Sequence, residues 1–263
     1  MISKKKKALD QTAAKEKPKT HFLVVMPAYN AAQTLRQAHQ EIPYEYIDAV
    51  ILVDDHSVDK TVEIAKELGM ITIKLNHNVG YGNTQQLCYL EALRQDPELI
   101  GVVMIHGDMQ YRPIYIPEII AKIKNEKADV VLGSRFLTRG GALSGNMPIW
   151  KFWANRFLTV VENMVLGLGL SEYHTGLRGY SRNFLETVPF LRNSNDFVFD
   201  TEILIQAAAF KMKIAEIPIE TYYFKEASSI NFKVSTVYGL KTLGALLRFT
   251  LHRLGWHSKK YSR

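Results

Sequence analysis

Three polar side chains follow an apolar run in the segment GVVMIHGDMQYRP, residues 101–113. His106, Asp108 and Gln110 occupy alternate positions, so in an extended chain they face the same side. Asp108 is the best-placed ligand for a divalent cation, because Mg²⁺ or Mn²⁺ takes oxygen ligands and needs few carboxylates when phosphates supply the others. The alternative is that Asp108 only forms a turn between Gly107 and Met109.

Strands and helices alternate along the chain, which predicts an α/β domain with a largely parallel sheet. We expect strands over Phe22–Met26, Ala49–Val53, 70–76, 102–105 and 129–136, and helices over Ala31–Glu41, Thr61–Leu68 (capped by Ser57 or Asp59), after the turn at Gly80, and over Ile114–Asn125. Ligands of open α/β sheets bind at the carboxyl ends of the strands. The residues that follow strand ends are Asn30, Asp54, Asp55, Gly80, His106, Asp108 and Arg135.

Two common nucleotide-binding motifs are absent from the sequence. A dinucleotide site requires G-x-G-x-x-G after the first strand, where this chain has PAYNAAQT. Gly80 and Gly82 come later in the chain and lack a third glycine. A phosphate loop of the form G-x-x-x-x-G-K-[ST] is missing as well.

The amino-acid composition limits the classes of protein to which this chain can belong. The chain has 263 residues, of which 47% are hydrophobic and 11% aromatic, as in an ordinary globular protein. The single cysteine, Cys88, excludes an intramolecular disulfide and a thiolate zinc cluster. No apolar run reaches the roughly 20 residues that span a bilayer, and the N-terminus lacks the apolar core of a signal peptide. We therefore expect a cytoplasmic protein.

The net charge of +7 is concentrated at the two ends of the chain. Residues 1–20 hold seven lysines and two acids, residues 241–263 hold six basic residues and no acid, and the body between them is therefore net acidic. This argues against a nucleic-acid-binding body and favours ends that rest on anionic lipid, with a solvated tail as the alternative for the first segment. We predict a disordered basic arm over residues 1–19, one domain over 20–235 and a basic amphipathic helix over 236–263.

Six motifs in order resemble the family-2 inverting glycosyltransferases of the GT-A fold. They are PAYN, LVDDHSVDKT, GYGN, HGDMQY, LGSRF and YHTGLRGYSR. Each motif is weak alone, but their order and spacing make the resemblance specific over about residues 20 to 235. The branch is similar to dolichol-phosphate mannose synthase and the polyprenyl-phosphate glycosyltransferases. The resemblance implies a Rossmann-like, mostly parallel sheet flanked by helices, a UDP- or GDP-linked sugar donor, and Mg²⁺ or Mn²⁺.

The resemblance also implies roles for single residues. Asp108 would carry the metal, with Gln110 and His106 beside it. Asp54 and Asp55 would hold base and ribose. Arg135 and Arg178 would meet the donor diphosphate or an acceptor phosphate, for which the planar guanidinium is suited, with ion pairing as the alternative. The residues expected to line the nucleotide-sugar pocket are Pro27, Ala28, Tyr29, Asn30, Asp54, Asp55, Gly80, Gly82, His106, Gly107 and Asp108.

The sequence departs from the family pattern at three points. His106 stands where the first Asp of an Asp-x-Asp metal motif is usual, and neutral imidazole either ligates Mn²⁺ or hydrogen-bonds a ribose or a carbonyl. Arg112 stands where an acid is common. Tyr173 and His174 begin the YHTGLR run in place of its usual leading Asp. One carboxylate fewer weakens metal affinity and leaves open a catalytically silent nucleotide binder.

The second half of the sequence adds candidates for the acceptor side. Asp200 and Glu202 open a predicted helix and are candidate general bases for an alcohol acceptor, with helix-dipole pairing as the alternative. The segments 145–170 and 237–256 each carry apolar residues at helical spacing. For the first segment core packing is the commoner outcome, while the resemblance to the lipid-acceptor enzymes implies a helix at the membrane interface. The second, which carries only basic charges, favours a membrane surface.

We therefore expect a metal-dependent glycosyltransferase that transfers a sugar with inversion to polyprenyl phosphate, at the inner face of a membrane. Three alternatives stay open. They are a soluble transferase acting on a saccharide or protein, a non-catalytic nucleotide-sugar binder, and a nucleotidyltransferase. The sequence leaves the sugar, the base of the donor and self-association into a homo-oligomer undetermined.

Overall fold

The computed structural model describes residues 18–138, 141–145, 147–221 and 232–262. The predicted basic arm, residues 1–19, lies almost wholly outside these residues. Within them, seven strands form one sheet in the order β3-β2-β1-β4-β6-β5-β7. The strands are β1 (Phe22–Ala28), β2 (Ala49–Asp54), β3 (Ile71–Lys74), β4 (Gly101–Met104), β5 (Val130–Ser134), β6 (Arg178–Ser181) and β7 (Ile214–Pro218).

The sheet is parallel except at β6, which pairs antiparallel with both β4 and β5. This confirms the predicted mostly parallel α/β sheet. The helices are α1 (Leu35–Gln40), α2 (Thr61–Glu67), α3 (Tyr81–Gln95), α4 (Ile116–Glu126), α5 (Gly141–Ser144), α6 (Ile149–Leu166), α7 (Arg182–Thr187), α8 (Phe199–Ala209) and α9 (Phe232–Arg253). Short 3₁₀ turns occupy Tyr44–Tyr46, Pro113–Tyr115, Phe190–Arg192 and Lys259–Tyr261.

The central strand β1 is buried along its whole length, because helices cover both faces of the sheet. Its alternate residues enter two cores: Val24 and Met26 pack in one, Leu23 and Val25 in the other. Pro27 lies near the end of this strand, and its missing N–H coincides with the end of the pairing with β4, whose register stops at Val25. The two cores fix the strand ends that carry the site.

The helix expected over Ala31–Glu41 begins only at Leu35. The residues before it form a loop whose backbone is held by side chains of the next motif. The amide of Asn30 donates to Ser57 Oγ at 2.8 Å, and that of Ala31 donates to Thr61 Oγ1 at 2.8 Å. Neither predicted cap of α2 holds the N-cap position, which Lys60 occupies. Asp59, one residue earlier, accepts from the amide of Thr61 at 3.0 Å, and Ser57 accepts from the neighbouring loop.

Helix α6 is amphipathic with its polar side inward. Asn155, Thr159 and Glu162 are buried, whereas Trp153 is 67% and Met164 72% exposed. Core packing of the apolar stripe was therefore the wrong expectation for most of its members. The exposed members are Trp150, Trp153, Phe157, Val160 and Met164. Val161 and Val165, at the edge of the stripe, pack against the C-terminal helix.

Helix α9 packs on α8 and α6 through a small apolar cluster that includes Ala245, Leu246 and Phe249. The boundary predicted at residue 235 falls inside this helix. On the outer side of α9 and its continuation, apolar side chains stand exposed at Val234, Val237, Leu240, Leu247, Leu254 and Trp256. Among the helices of the described ranges, none combines the length and apolarity needed to cross a membrane.

Candidate functional site

A cavity of about 600 Å³ opens at the carboxyl ends of β1, β2 and β4. Most of its lining residues fall into two groups, which we call the sheet half and the helical half; the others are Tyr111, Thr175, Gly176, Asp196, Phe197 and Asp200. The sheet half comprises Pro27, Ala28, Tyr29, Asp55, Asn78, Gly80, Tyr81, Thr84, His106, Gly107, Asp108 and Gln110. The helical half comprises Arg135, Met147, Trp150, Lys151, Ala154, Asn155, Leu158, His174, Ser235 and Tyr238.

The two acids after β2 differ in position. Asp55 lines the cavity, and its carboxylate accepts hydrogen bonds from the amides of Val79 at 2.7 Å and Gly80 at 3.1 Å. Asp54 is fully buried outside the lining, where one oxygen accepts from the Ser57 amide at 3.0 Å. Its other oxygen has no hydrogen-bond partner in the described part of the chain. The expectation that both acids contact the nucleotide is therefore wrong for Asp54, which lies outside the cavity and holds the loop after β2 through the Ser57 amide.

Two further residues that were predicted to line the pocket, Asn30 and Gly82, form hydrogen bonds with neighbouring loops instead. The side chain of Asn30 is turned toward the neighbouring loop and accepts from the Val58 amide at 3.0 Å. Gly82 is outside the lining, and its amide donates to the Asn195 carbonyl at 2.8 Å. Gly80 does line the cavity; its φ of +92° and the Asn195 carbonyl oxygen 2.6 Å from an ideal Cβ position require glycine there.

Asp108 reaches the cavity with one oxygen free. Its Oδ1 accepts from the amide of Gln110 at 3.0 Å, and its Oδ2 has no hydrogen bond among the described residues. Gln110 lines the same wall. One carboxylate and one amide oxygen suit Mg²⁺ or Mn²⁺ when the remaining ligands are phosphate oxygens and water. The donor set thus fits a cation that arrives with a nucleotide diphosphate.

His106 is held in place by its neighbours. Its ring stacks on Tyr81, with centroids 5.7 Å apart and planes inclined by 15°, and Nε2 lies 3.3 Å from the Tyr81 hydroxyl. A Cβ at Gly176 would lie 2.9 Å from the imidazole. Because Nε2 faces Tyr81, only Nδ1 is left for a metal or a ribose. Among the described residues, the acids and histidines close enough to share an ion are His21, Asp48 and Asp96, which lie away from this cavity.

Asp200, at the start of α8, lines the cavity and receives several donors. The Tyr81 hydroxyl donates to Oδ2 at 3.0 Å, and Gln85 Nε2 donates to Oδ1 at 3.1 Å. Arg178 Nη2 lies 3.7 Å from Oδ2. Burial raises the pKa of the Tyr81 hydroxyl, with the Asp200 charge as a further cause, so Tyr81 remains a donor to this carboxylate.

Two of the predicted catalytic residues do not line the cavity. Arg178 is fully buried, and its guanidinium donates to the carbonyls of Thr175 at 2.8 Å, Asp200 at 2.9 Å and Tyr173 at 3.0 Å. It supports α8 rather than contacting a phosphate. Glu202, also buried, accepts from the Ser194 amide at 2.6 Å and from two basic side chains of the C-terminal segment. Its proposed role as a general base is corrected, because both oxygens are committed away from the cavity.

Arg135 lines the cavity as predicted, but it is paired. Its amide and Nε donate to Glu172 Oε2 at 2.9 Å and 3.1 Å, and Nη2 donates to the His174 carbonyl at 2.6 Å. Glu172 is completely buried and also accepts from Asn155 Nδ2 at 2.9 Å. Sequence reasoning missed Glu172, although it directly precedes the YHTGLR run. It supplies the acid that the run itself lacks.

Lys151 is the second cation of the helical half, and sequence reasoning missed it too. The amphipathic pattern of α6 set Lys151 apart from the apolar stripe, without indicating that the polar side faces a cavity. Burial and the nearby charge of Arg135 lower the pKa of Lys151. Lys151 and the Glu172-paired Arg135 lie beside Trp150, Ala154 and Leu158, a combination of charge and apolar surface that suits an anion with an apolar group.

A buried acid, an imidazole and a phenol also meet beside the helical half. Glu162 of α6 lies 3.0 Å from His174 Nε2, and His174 Nδ1 lies 2.7 Å from the Tyr238 hydroxyl. Burial raises the pKa of Tyr238, with the Glu162 charge as the next cause. The phenol therefore keeps its proton.

Comparison with known proteins shows which proteins this chain is similar to. The family model described as "Glycosyl transferase family 2" matches residues 23–188. The low-salt glycan biosynthesis hexosyltransferase Agl6 of Haloferax volcanii is 31% identical over 78% of this chain and 48% of its own length. A UDP-N-acetylglucosamine–dolichyl-phosphate N-acetylglucosaminyltransferase of Methanococcus voltae is 27% identical over 76% of this chain and 85% of its own length.

Solved structures share the fold. Glucosyl-3-phosphoglycerate synthase of Mycobacterium tuberculosis, in complex with Mn²⁺, UDP and glucosyl-3-phosphoglycerate, has a TM-score of 0.66 at 18% identity, over 87% of this chain and 79% of that one. The same enzyme with Mg²⁺ and UDP has a TM-score of 0.66 at 19% identity. At this identity the likeness concerns the fold alone, and the fold is the GT-A fold expected from the motifs.

Proposed function

This chain belongs to glycosyl transferase family 2, and we propose that it transfers a sugar, with inversion, from a nucleotide-diphosphate sugar to polyprenyl phosphate at a membrane surface. That it is a glycosyltransferase follows from the family and from the named relatives. The observation that carries the finer proposal is the division of one cavity into two halves. In the sheet half, Asp108 Oδ2 has no hydrogen bond to a described residue; the helical half holds Arg135, Lys151 and an apolar wall.

The sheet half would take the nucleotide diphosphate. Tyr29 is exposed at the rim and offers its ring to a base, while Asp55 fixes the loop at Gly80 against which the ribose would lie. Asp108, with Gln110, would hold Mg²⁺ or Mn²⁺. When bound, the cation neutralises the negative charge that develops on the diphosphate as it departs. Crystal structures of a protein of this fold contain UDP with either metal.

The helical half would take the acceptor phosphate. Arg135 and Lys151 provide positive charge, and the apolar side chains of α6 continue from them. A phosphate oxygen is already anionic, so its attack on C1 of the sugar needs no proton transfer. The oxygen forms a bond to C1 as the bond from C1 to the diphosphate oxygen breaks, and the electron pair leaves on the nucleotide diphosphate. Asp200 then need not act as a general base, which suits its hydrogen bonds to Tyr81 and Gln85.

The exposed apolar faces of α6 and α9 support action at a membrane surface. The two helices contact each other. Helix α6 presents aromatic and aliphatic side chains to the outside, and α9 presents aliphatic ones, followed beyond its end by Leu254 and Trp256. Basic residues of α9 are partly used within the protein, since Lys241 pairs with Asp196 and Arg248 with Glu202. Vesicle binding should therefore depend more on the apolar faces than on anionic lipid. The Methanococcus voltae relative is named for a dolichyl-phosphate acceptor.

A water-soluble phosphorylated acceptor is the second candidate. Arg135 and Lys151 would bind the phosphate of a small acid equally well, and the enzyme of similar fold was crystallised with phosphoglyceric acid. The exposed apolar faces separate the two candidates, because a soluble acceptor gives them no role.

Calorimetric titration of UDP and of GDP, each with Mn²⁺ and with a chelator, tests the donor site. The proteins are the wild type, Asp108→Ala, and Glu118→Ala as an exposed control acid on α4. We expect metal-dependent binding of one nucleotide that Asp108→Ala loses and the control keeps. A folded wild type that binds neither nucleotide would exclude the transferase proposal.

Transfer assays then test the acceptor. Farnesyl phosphate in lipid vesicles and 3-phosphoglycerate in solution are offered with UDP-glucose, UDP-N-acetylglucosamine and GDP-mannose. Transfer to farnesyl phosphate supports the proposal. Transfer only to 3-phosphoglycerate supports the second candidate and leaves the exposed faces unexplained.

A further inference from the structure

Glu162 is a buried acid that the proposed reaction does not use. It is 0% exposed, and neither oxygen has a hydrogen-bond partner in the described ranges. Its neighbour is His174, whose Nε2 lies 3.0 Å away, at ion-pair distance but without hydrogen-bond alignment. A buried carboxylate without hydrogen bonds is costly unless a cation compensates it. His174 is therefore the side chain that faces this carboxylate.

The other nitrogen of His174 extends this pair to the C-terminal helix. Nδ1 lies 2.7 Å from the Tyr238 hydroxyl of α9. When Nδ1 carries a proton it donates to the Tyr238 oxygen, and the phenol proton is then available to another acceptor. The nearest further acceptor is Thr201 Oγ1, at 3.2 Å. Glu162, His174 and Tyr238 thus join α6, the loop before β6 and α9.

The same network reaches the cations of the helical half. The His174 carbonyl accepts from Arg135 Nη2 at 2.6 Å, so Arg135 and Tyr238 contact opposite ends of one residue. His174 and Tyr238 both line the cavity. Tyr238 lies beyond residues 23–188, the part of the chain that the family model matches. The C-terminal helix therefore adds a hydroxyl donor to a site built mainly by the family domain.

We propose that Tyr238 contacts the acceptor phosphate and that Glu162 and His174 are positioning residues that hold it there. This inference rests on the proposed function. When the acceptor enters, the Tyr238 hydroxyl exchanges its long contact with Thr201 for a hydrogen bond to a phosphate oxygen beside Arg135 and Lys151. The Glu162–His174 pair keeps Tyr238, and with it α9, in place. The helical half therefore contains the Tyr238 hydroxyl only while α9 packs against α6.

The test measures two affinities in the full-length protein: that of UDP with Mn²⁺, and that of farnesyl phosphate in the presence of both. Tyr238→Phe should weaken farnesyl phosphate binding about tenfold, the usual effect of one hydrogen bond to a charged group, with UDP affinity unchanged. Tyr46→Phe, an exposed tyrosine elsewhere, is the matched control and should change neither value.

Glu162→Gln tests the positioning pair. It keeps the shape of the side chain and removes its charge, and it should weaken farnesyl phosphate binding while increasing amide hydrogen exchange over residues 234–242. Glu162→Asp, which keeps the charge, should restore most of both values. Tyr238→Phe keeps the proposal testable if Glu162→Gln does not fold, because it removes a single hydroxyl at the cavity wall.

Each outcome decides something. Equal farnesyl phosphate affinity in the wild type and Tyr238→Phe would overturn the contact. Unchanged exchange in α9, or equal losses of UDP and farnesyl phosphate affinity, would overturn the positioning role. A wild type that binds UDP but not farnesyl phosphate would overturn this inference and the polyprenyl acceptor together. A wild type that binds no nucleotide would overturn the proposed function itself.

Discussion

The polar side chains of the two halves of the cavity differ in their exposure and in their hydrogen-bond partners. In the sheet half, Asp108 and Gln110 are partly exposed, and one oxygen of Asp108 has no hydrogen bond to any residue that the structure describes. In the helical half, Arg135 is buried against Glu172, and behind His174 lies the buried Glu162, 3.0 Å from Nε2. The sheet half takes its shape from backbone turns at strand ends. The helical half takes its shape from charges that compensate one another.

This difference predicts which substitutions weaken ligand binding and which lower the stability of the fold. A free carboxylate contributes little to folding, so its removal should weaken ligand binding and leave the fold intact. A buried ion pair behaves differently, because removing one member leaves an uncompensated charge in the interior. Substitutions in the helical half should therefore appear first in the free energy of unfolding.

Glu172→Gln should give the largest effect. It leaves the Arg135 guanidinium buried without its carboxylate, and we expect the free energy of unfolding to fall by about 3–5 kcal/mol. Urea denaturation followed by circular dichroism measures this change. Glu118→Gln, an exposed acid on α4, should leave the midpoint unchanged. A loss as small as that of the control would mean that the two halves do not differ in this way.

Asp108→Ala should reverse the pattern. We expect sugar transfer to fall about 10²–10³-fold, as when one stabiliser of transition-state charge is removed, while the urea midpoint stays within error of the wild type. Initial rates with saturating acceptor, together with the same denaturation assay, measure both quantities. A variant that is destabilised as strongly as Glu172→Gln would contradict the assignment of Asp108 to the ligand.

Lys151→Met should lower the affinity for farnesyl phosphate about 10-fold to 100-fold, since it removes a charged donor from the anion site. The pH dependence has a definite sign. The pKa of Lys151 is lowered, so its charge, and with it acceptor affinity, is lost as pH rises, at a pH below the usual 10.4 or so of lysine. Lys151→Arg stays charged and should flatten the profile between neutral and alkaline pH. An identical profile in the two proteins would assign the titration to another group.

Tyr81→Phe should give the smallest effect. The hydroxyl donates to Asp200 at 3.0 Å, and Gln85 and Arg178 remain as partners of that carboxylate when it is removed. We expect about 1 kcal/mol of lost stability and little change in UDP affinity, measured by denaturation and calorimetry. A large fall in transfer with unchanged stability would show instead that Tyr81 acts on the substrate.

Sequence reasoning recovered the sheet half more fully than the helical half. Asp55, Gly80, His106, Asp108 and Gln110 line the cavity as expected. The errors concern burial, which a motif does not report: Asp54 and Arg178 belong to the right motifs but lie beneath the surface. Glu172 and Tyr238 were missed because their partners are 37 and 64 residues away in the chain.

The sequence by itself determined the α/β fold, the family and the edge of the sheet at which ligands meet. These follow from local rules, since apolar runs predict strands and the polar residues after parallel strands converge at one edge. Only the tertiary structure decided which face of α6 turns inward, which carboxylates remain free and which residue α9 adds to the cavity. Helical periodicity defines two faces but does not say which one is buried, because buried polar groups can compensate one another and leave the apolar face outside.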